Sequence, residues 1–468
     1  MARLLGALTA VVLCVGLLIA PGAHAASVSD KVTRTIKVVR DDSAAECRRL
    51  QVVAHDVCSA VGGLDVSEQR MADYEGSWVH RALALQRGLD DAAPFLRQLL
   101  PHTHNSFNSA AYPVTLTQLD PNQLYSMRDQ LRMDIRAIEM DIHKWPPVDN
   151  PLDGPDDVVL CHATRVPVGP AIVHAGCSVD RPFTRGLVEL RTWLTEPQNA
   201  GAVVLLYLEN ALDGDVTAHE RAAADIENVL GPLVYRPADH GAASCAPMPM
   251  DVSRAAIRAA GRRVLIVGNC GPGAWGSWVH LRGPQWNESG SGMGDDYPDY
   301  PACLAERAAL RYDTHLIRRF EDSTWLATMA DGTGQGSPGQ VTAVETRRMV
   351  RCGVNLVGFD QLHPQDPRLA ALVWSWAVNE PSASGGPCAA QGRDGRFRSV
   401  SCRPRRPRAC VDRAGAWKVA RRCPSGTTFS VPANGFENER LHEAAVAAGA
   451  SSVLLAYRNA PGVGWTRQ

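Results

Sequence analysis

The chain has 468 residues, of which 21% are charged and 45% hydrophobic, and a formal net charge of −1. That length holds one large domain of about 250 residues with smaller attachments. A charge so near zero excludes a chain-wide attraction to nucleic acid or to an anionic membrane.

In chain order, the first 25 residues read as a secretory leader. Arg3 supplies the positive end, residues 4–20 the apolar core, and Ala23-His24-Ala25 a small-x-small cleavage site. No later segment holds about 18 uninterrupted apolar residues, so a soluble, secreted mature chain is expected. Cys14 leaves with the leader, and the twelve cysteines that remain are an even set suited to disulfides in an exported protein. Close neighbours point to Cys47–Cys58, Cys161–Cys177 and Cys410–Cys423. No CxxC occurs, so a zinc ribbon or thioredoxin-like site has no support.

Residues 26–95 read as an N-terminal extension, with helical apolar spacing over 78–100 that packs on the catalytic domain. Residues 96–381 alternate strand-like runs (137–142, 158–161, 203–208, 263–267, 354–359) with amphipathic ones (180–194, 219–230, 341–350). Such alternation predicts an α/β domain with a parallel sheet. Polar chemistry at the ends of several strands narrows this to a TIM-type (β/α) barrel, regular or irregular. The loop 268–301 carries Trp275, Trp278 and Trp286, which either pin it to the barrel rim, the leading reading, or touch a lipid interface. The stretch 331–339 is a second barrel-face loop or a helix connector. Residues 382–387, Ser-Ala-Ser-Gly-Gly-Pro, read as a linker to a small Cys-rich C-terminal module at 388–468, which needs disulfide staples to fold. Seven arginines between Arg403 and Arg422 give this module a basic face. A solvated surface is the first reading and a polyanion-binding patch the second.

The chemistry concentrates in four places: His104-Asn105-Ser106, Glu139-Met140-Asp141, Cys161-His162 and Leu208-Glu209-Asn210. On a strand, Glu139 and Asp141 share one face. Carboxylates inside an apolar strand are costly to bury without a partner. Together with Glu209 and the Asn105 amide they form the hard oxygen set that Ca²⁺ prefers. Histidine suits both proton transfers of phosphodiester cleavage, with His104 as base and His162 as acid. His102 and His143 are supporting residues. Asp360 is placed to orient His104, although a strand-end aspartate often caps a turn instead. Arg165 and Arg136 are candidates for phosphate contact.

In this order, His104-Asn105-Ser106, Glu139-x-Asp141, His162 and Leu208-Glu209-Asn210 resemble the catalytic region of calcium-dependent phosphatidylinositol-specific phospholipases C. The resemblance covers roughly residues 99–210. It implies His104 as base, His162 as acid, and Asn105, Glu139, Asp141 and Glu209 as calcium ligands. Metal-independent bacterial members carry an arginine where Asp141 stands. The implied reaction is attack by the inositol 2-hydroxyl with release of diacylglycerol and a cyclic inositol phosphate, during transient contact with a membrane surface. Signalling members of animals use lysines near 263–267 to hold ring phosphates, and this chain has none there. Plain or glycosylated phosphatidylinositol is therefore the expected substrate. Alternatives are a glycerophosphodiesterase or sphingomyelinase-D-like enzyme on the same barrel, and a non-catalytic surface-binding protein. The tail (Trp417, Cys423, Asn438, Leu441) loosely resembles half of a C-type lectin-like module, so glycan or surface binding stands beside the leading reading of a structural cap.

Overall fold

The computed structural model describes residues 68–112, 121–145, 157–168, 171–175, 177, 181–289, 297–323, 341–402 and 406–468. The leader, the expected Cys47–Cys58 pair, the 331–339 stretch, and Arg403 and Arg405 lie outside these residues. Two helices, α1 (Glu68–Glu75) and α2 (Trp78–Asp90), precede β1 (Leu100–Thr103). Next come α3 (Met127–Arg132), β2 (Ala137–Trp145), β3 (Asp157–Leu160) and the hairpin β4 (Thr164–Val168) and β5 (Ala171–Ala175). Helix and strand then alternate through α4 (Phe183–Thr195), β6 (Val204–Ala211), α5 (Val216–Leu230), α6 (Arg254–Ala259) and β7 (Val264–Gly268). The short β8 (His280–Leu281) and β9 (Trp286–Ser289) lead to α7 (Leu304–Ala309), β10 (Leu316–Phe320), α8 (Ala343–Cys352), β11 (Leu356–Phe359) and α9 (Pro367–Ala371).

The sheet order is β8-β7-β6-β2-β1-β11-β10-β9, every pair parallel. The sheet curls as an α/β barrel does, but its end strands β8 and β9 are not hydrogen-bonded to each other, which leaves a seam. The period-2 alternation of each strand assigns its two faces. Ile138, Met140, Ile142, Leu206, Leu208, Val264 and Ile266 join the apolar layer that includes Leu187, Leu190 and Trp193 of α4. Ala137, Leu205, Tyr207, Leu265 and Val267 pack inward with Leu100, Leu316 and Leu356 as a separate plug. Glu139, Asp141 and Glu209 continue the inward series one step above that plug. Gly186 of α4 lets the helix lie close on the sheet, since a Cβ there would stand 2.7 Å from Leu160 and 3.2 Å from Met140.

Two expectations change, and between them one pair of alternatives is decided for its leading reading. Residues 158–161 are not a successive barrel strand: β3 folds back antiparallel on β2, pairing Ile142 with Leu160. Trp275, Trp278 and Trp286 are all buried, so they pin their loop and offer no ring to a lipid interface. Finally, residues 382–387 are no free tether. Ser382 donates its N–H to Glu380 and Ser399, and a Cβ on Gly385 would meet Ser399.

The C-terminal sheet holds β12 (Cys388–Gly392), β13 (Phe397–Val400), β14 (Arg408–Asp412), β15 (Trp417–Ala420), β16 (Thr427–Phe429), β17 (Ser452–Ala460) and β18 (Gly464–Arg467), with α10 (Gly435–Ala447) after β16. Trp376 packs edge-on or tilted against Phe397, Tyr457 and Trp465, and Tyr457 lies tilted against Trp465. This sheet meets the barrel at its base: Arg97, just before β1, pairs with Glu437, and Asn434 donates to the Arg97 carbonyl. Five disulfides occur among the described residues: Cys161–Cys177, Cys245–Cys270, Cys303–Cys352, Cys388–Cys402 and Cys410–Cys423. No helix among those residues is long and apolar enough to cross a membrane.

Candidate active site

The chain leaves β1 through a turn that its own side chains close. Thr103 and Ser106 share a hydroxyl contact of 2.7 Å, and Ser106 Oγ accepts the Glu139 N–H at 2.9 Å, tying the turn to β2. Between them Asn105 adopts φ 44°, a left-handed conformation that asparagine tolerates better than most residues. His104 is thereby placed over the barrel mouth, its ring 4.7 Å from that of Phe320.

His104 Nδ1 lies 3.4 Å from Asp360 Oδ2 at the end of β11. Asp360 is buried and accepts from Ser323 N (2.7 Å), Gln123 Nε2 (2.9 Å) and Asn122 Nδ2 (3.3 Å). Burial alone would lower the His104 pKa, but the Asp360 charge more than offsets it and pushes the imidazole up to about 9. Asn122 extends the network. Its Oδ1 accepts from Asn105 Nδ2 (3.2 Å) and Asn108 Nδ2 (2.7 Å), and Asn108 Nδ2 also stands 3.4 Å from His162 Nδ1. The two histidines, far apart in sequence, thus belong to one amide network.

That network assigns their tautomers. The Asp360 carboxylate accepts, so His104 in its neutral form carries its proton on Nδ1 and offers a bare Nε2. The Asn108 amide nitrogen can only donate, so His162 accepts at Nδ1 and carries its proton on Nε2. One ring is set to take a proton and the other to give one.

Beside them, one oxygen each of Glu139, Asp141 and Glu209 lies within 4.8 Å of the others. Asp141 and Glu209 are direct neighbours in the β2–β6 register. Burial, then the charges of Glu209 and Glu139, push Asp141 well above the usual carboxylate range. Desolvation and Glu139 also raise Glu209, which opens to solvent. Glu139 is different. Burial opposes its charge, yet the Arg318 guanidinium, with His102 and His104, holds its pKa well down. Arg318, on β10, contacts Glu139 at 2.5 Å and Glu288 at 3.0 Å. Its Nε also donates to His102 Nε2 at 3.2 Å, and His102 is kept neutral by burial and by Arg318, its pKa lowered to about 4.

The other candidates lie elsewhere. Arg136 sits at the opposite end of β2, donating to the carbonyls of Leu131 and Ile135 and stacking over Trp193, so it reaches no phosphate at the mouth. Arg165 belongs to β4 and its side chain lies outside the described residues. His143 is buried further along β2. Sequence reasoning overlooked Arg318, Asn122 and the pair behind Asp360, where Glu321 accepts from Arg368 at 2.5 Å and Arg368 donates to the Asp360 carbonyl at 2.9 Å. It also overlooked Asp322, a further carboxylate within 4.8 Å of His104 and Asp360.

A divalent cation fits the carboxylate cluster. Asp141 Oδ1 is buried without a hydrogen-bond partner, an exception that needs an explanation in a native fold. The donors are hard oxygens, and two of the three carboxylates are raised by burial and then by mutual repulsion, which a positive ion would relieve.

A family model described as Rv2075c PI-PLC-like domain matches residues 63–366. Uncharacterized proteins of Mycobacterium tuberculosis strains CDC 1551 / Oshkosh and H37Rv are each 38% identical over 432 residues, covering 88% of this chain and 86% of theirs. Among solved structures, a phosphatidylinositol-specific phospholipase C of Listeria monocytogenes is similar at 13% identity and TM-score 0.36, covering 60% of this chain and 94% of its own. A calcium-dependent one from a Pseudomonas species gives 15% and 0.33, covering 60% and 93%. One of S. aureus gives 12% and 0.40, covering 64% and 98%. At such scores the fold rests on the strand order given above.

Proposed function

Since the chain belongs to the Rv2075c PI-PLC-like domain family, we propose that it is an exported phosphodiesterase. It cleaves phosphatidylinositol, or a glycosylated form of it, with the aid of calcium. The observation that carries this reading is the pair of histidines held by Asp360 and Asn108 in one network beside three clustered carboxylates.

The substrate hydroxyl next to the phosphodiester loses its proton to His104 Nε2, and its oxygen attacks phosphorus. The bond to the glycerol oxygen breaks, and that oxygen takes the Nε2 proton of His162. A cyclic phosphate and diacylglycerol result, with each proton accounted for. Asp360 holds His104 in the accepting tautomer and stabilises the imidazolium that forms. A calcium ion held by Asn105, Glu139, Asp141 and Glu209 would neutralise charge on the phosphoryl oxygens and ease ionisation of the attacking hydroxyl.

A headgroup without ring phosphates suits the strand that ends the plug. β7 runs into Gly268, Asn269 and Cys270, and the nearby Arg282 is committed to Tyr207 and Glu288. The leader-like start and the five disulfides support export.

The test adds the purified chain to phosphatidylinositol vesicles with calcium or with chelator and follows phosphorus NMR. Cyclic inositol phosphate appearing only with calcium is expected. Turnover unaffected by chelation would remove the calcium assignment, and release of choline or glycerol phosphate from other lipids would replace the substrate.

A further inference from the structure

Arg318 is the feature of the barrel mouth that the reaction leaves unused. It is 2% exposed, and its guanidinium bridges Glu139 Oε2 at 2.5 Å and Glu288 Oε1 at 3.0 Å. Its carbon lies 4.0 Å from the Phe320 ring centre and 4.9 Å from that of Tyr207. His102, which faces it from β1, is an acceptor and adds no negative charge. Arg318 is therefore a fixed cation in a dry setting, built on the rigid strand next to the mouth. It is as firmly held as the carboxylates it faces.

Its charge reaches beyond Glu139. Glu139, Asp141 and Glu209 each bring one oxygen within 4.8 Å of the others, so a guanidinium at 2.5 Å from Glu139 acts on the whole cluster. Three ionised carboxylates carry three negative charges, and Arg318, shared with Glu288, offsets part of one of them. Calcium affinity follows the charge count of its ligands and spans several decades. On the calcium reading given above, we infer that Arg318 is a built-in counter-charge that keeps the cation site weak. Its affinity falls in the range of about 10⁻⁴ to 10⁻³ M that extracellular calcium modules use. The guanidinium also keeps Glu139 ionised and aimed while no ion is bound. A site so tuned fills outside a cell, where calcium is plentiful, and stays empty where it is scarce.

Calorimetric titration of the full chain with calcium at pH 8 tests this without reference to turnover. Arg318→Met is expected to bind calcium at least tenfold more tightly than the natural chain, and Arg318→Lys, which keeps the charge, within threefold of it. If Arg318→Met does not fold, Glu288→Gln supplies the reading. Losing Glu288 leaves the whole guanidinium charge on the Glu139 side, and affinity is expected to weaken at least threefold. Equal or weaker binding by a folded Arg318→Met, or unchanged binding by Glu288→Gln, overturns the counter-charge while leaving the calcium site standing. No calcium heat from any of these proteins overturns the site itself, and the counter-charge with it.

Discussion

Asp134, in the turn that leads into β2, and Asp141, on β2 at the barrel mouth, are both buried, and their surroundings could hardly differ more. Asp134 at the base accepts from Tyr74 at 2.6 Å, His80 at 2.9 Å and Arg87 at 2.7 Å, with Arg136 at 3.8 Å. Against the cost of burial, those partners hold its pKa far below the usual range. Asp141 at the mouth has an oxygen with no partner and two carboxylates for neighbours, and its pKa is pushed up. One residue type serves two ends: at the base it joins the helices of the N-terminal region to the barrel, and at the mouth it is left incomplete. A buried polar group that a fold leaves unsatisfied marks where another partner belongs.

The sharpest test of this contrast concerns the mouth. His104→Ala or His162→Ala is expected to lower turnover of phosphatidylinositol by about 10² to 10⁴-fold, the usual range for a general acid or base. Thermal unfolding of either variant should stay close to that of the natural chain. A large loss of stability instead would make these histidines structural and erase the distinction between the two ends. At the base the reverse holds. Asp134→Ala strands Arg87 and Arg136 and is expected to cost about 3 kcal/mol or more in urea unfolding, as removing one partner of a buried ion pair does. Its turnover per folded molecule should be unchanged.

Asp360 links the two kinds of behaviour, being fully satisfied and yet part of the mouth. Asp360→Asn removes the charge that pushes His104 up to about 9. A base must be unprotonated to act, so in calcium-depleted protein His104 should titrate at lower pH in the variant than in the natural chain. NMR titration of its ring checks this. The variant should also turn over about 10²-fold more slowly, because the accepting tautomer is no longer held. An unmoved titration would mean that Asp360 does not govern His104.

How much the sequence made legible depends on how local each feature is. Glu139 and Asp141 stand out because two carboxylates interrupt an apolar strand, and the alternation that turns them inward is written in the neighbouring residues. The His104-Asn105-Ser106 turn closes on itself through Thr103 and Ser106 and is readable for the same reason. Arg318 is not, because its meaning lies in a contact with Glu139 across 179 positions. Residues 316–320, Leu-Ile-Arg-Arg-Phe, look like a solvated stretch until the barrel turns one arginine inward. Asn122 is a loop residue with no periodicity to announce it, and its role depends on Asn108 and Asp360 arriving from other elements. The antiparallel return of β3 was likewise hidden, since residues 158–161 have the composition of any buried strand.

The smallest expected effect is also the most direct reading of Asp141. A carboxyl whose pKa is raised by folding binds protons more tightly folded than unfolded. Without calcium, Asp141 and Glu209 therefore weigh against the fold at neutral pH, and less so as the pH falls. Asp134, depressed by folding, contributes fully above the ordinary aspartate value near 3.9 and loses its contribution only below it. Over pH 7 to 5 the slope that Asp141 supplies is consequently separable from that of the base. Asp141→Asn carries no titrating group at that position, so it should be more stable than the natural chain at pH 7. The gap should narrow as the pH is lowered, as measured by urea unfolding at pH 7 and at pH 5. With calcium the order should invert, because an ion bound to the folded state stabilises the natural chain by mass action and the variant loses a ligand. A variant less stable than the natural chain in chelator would place Asp141 with Asp134, as a satisfied structural acid.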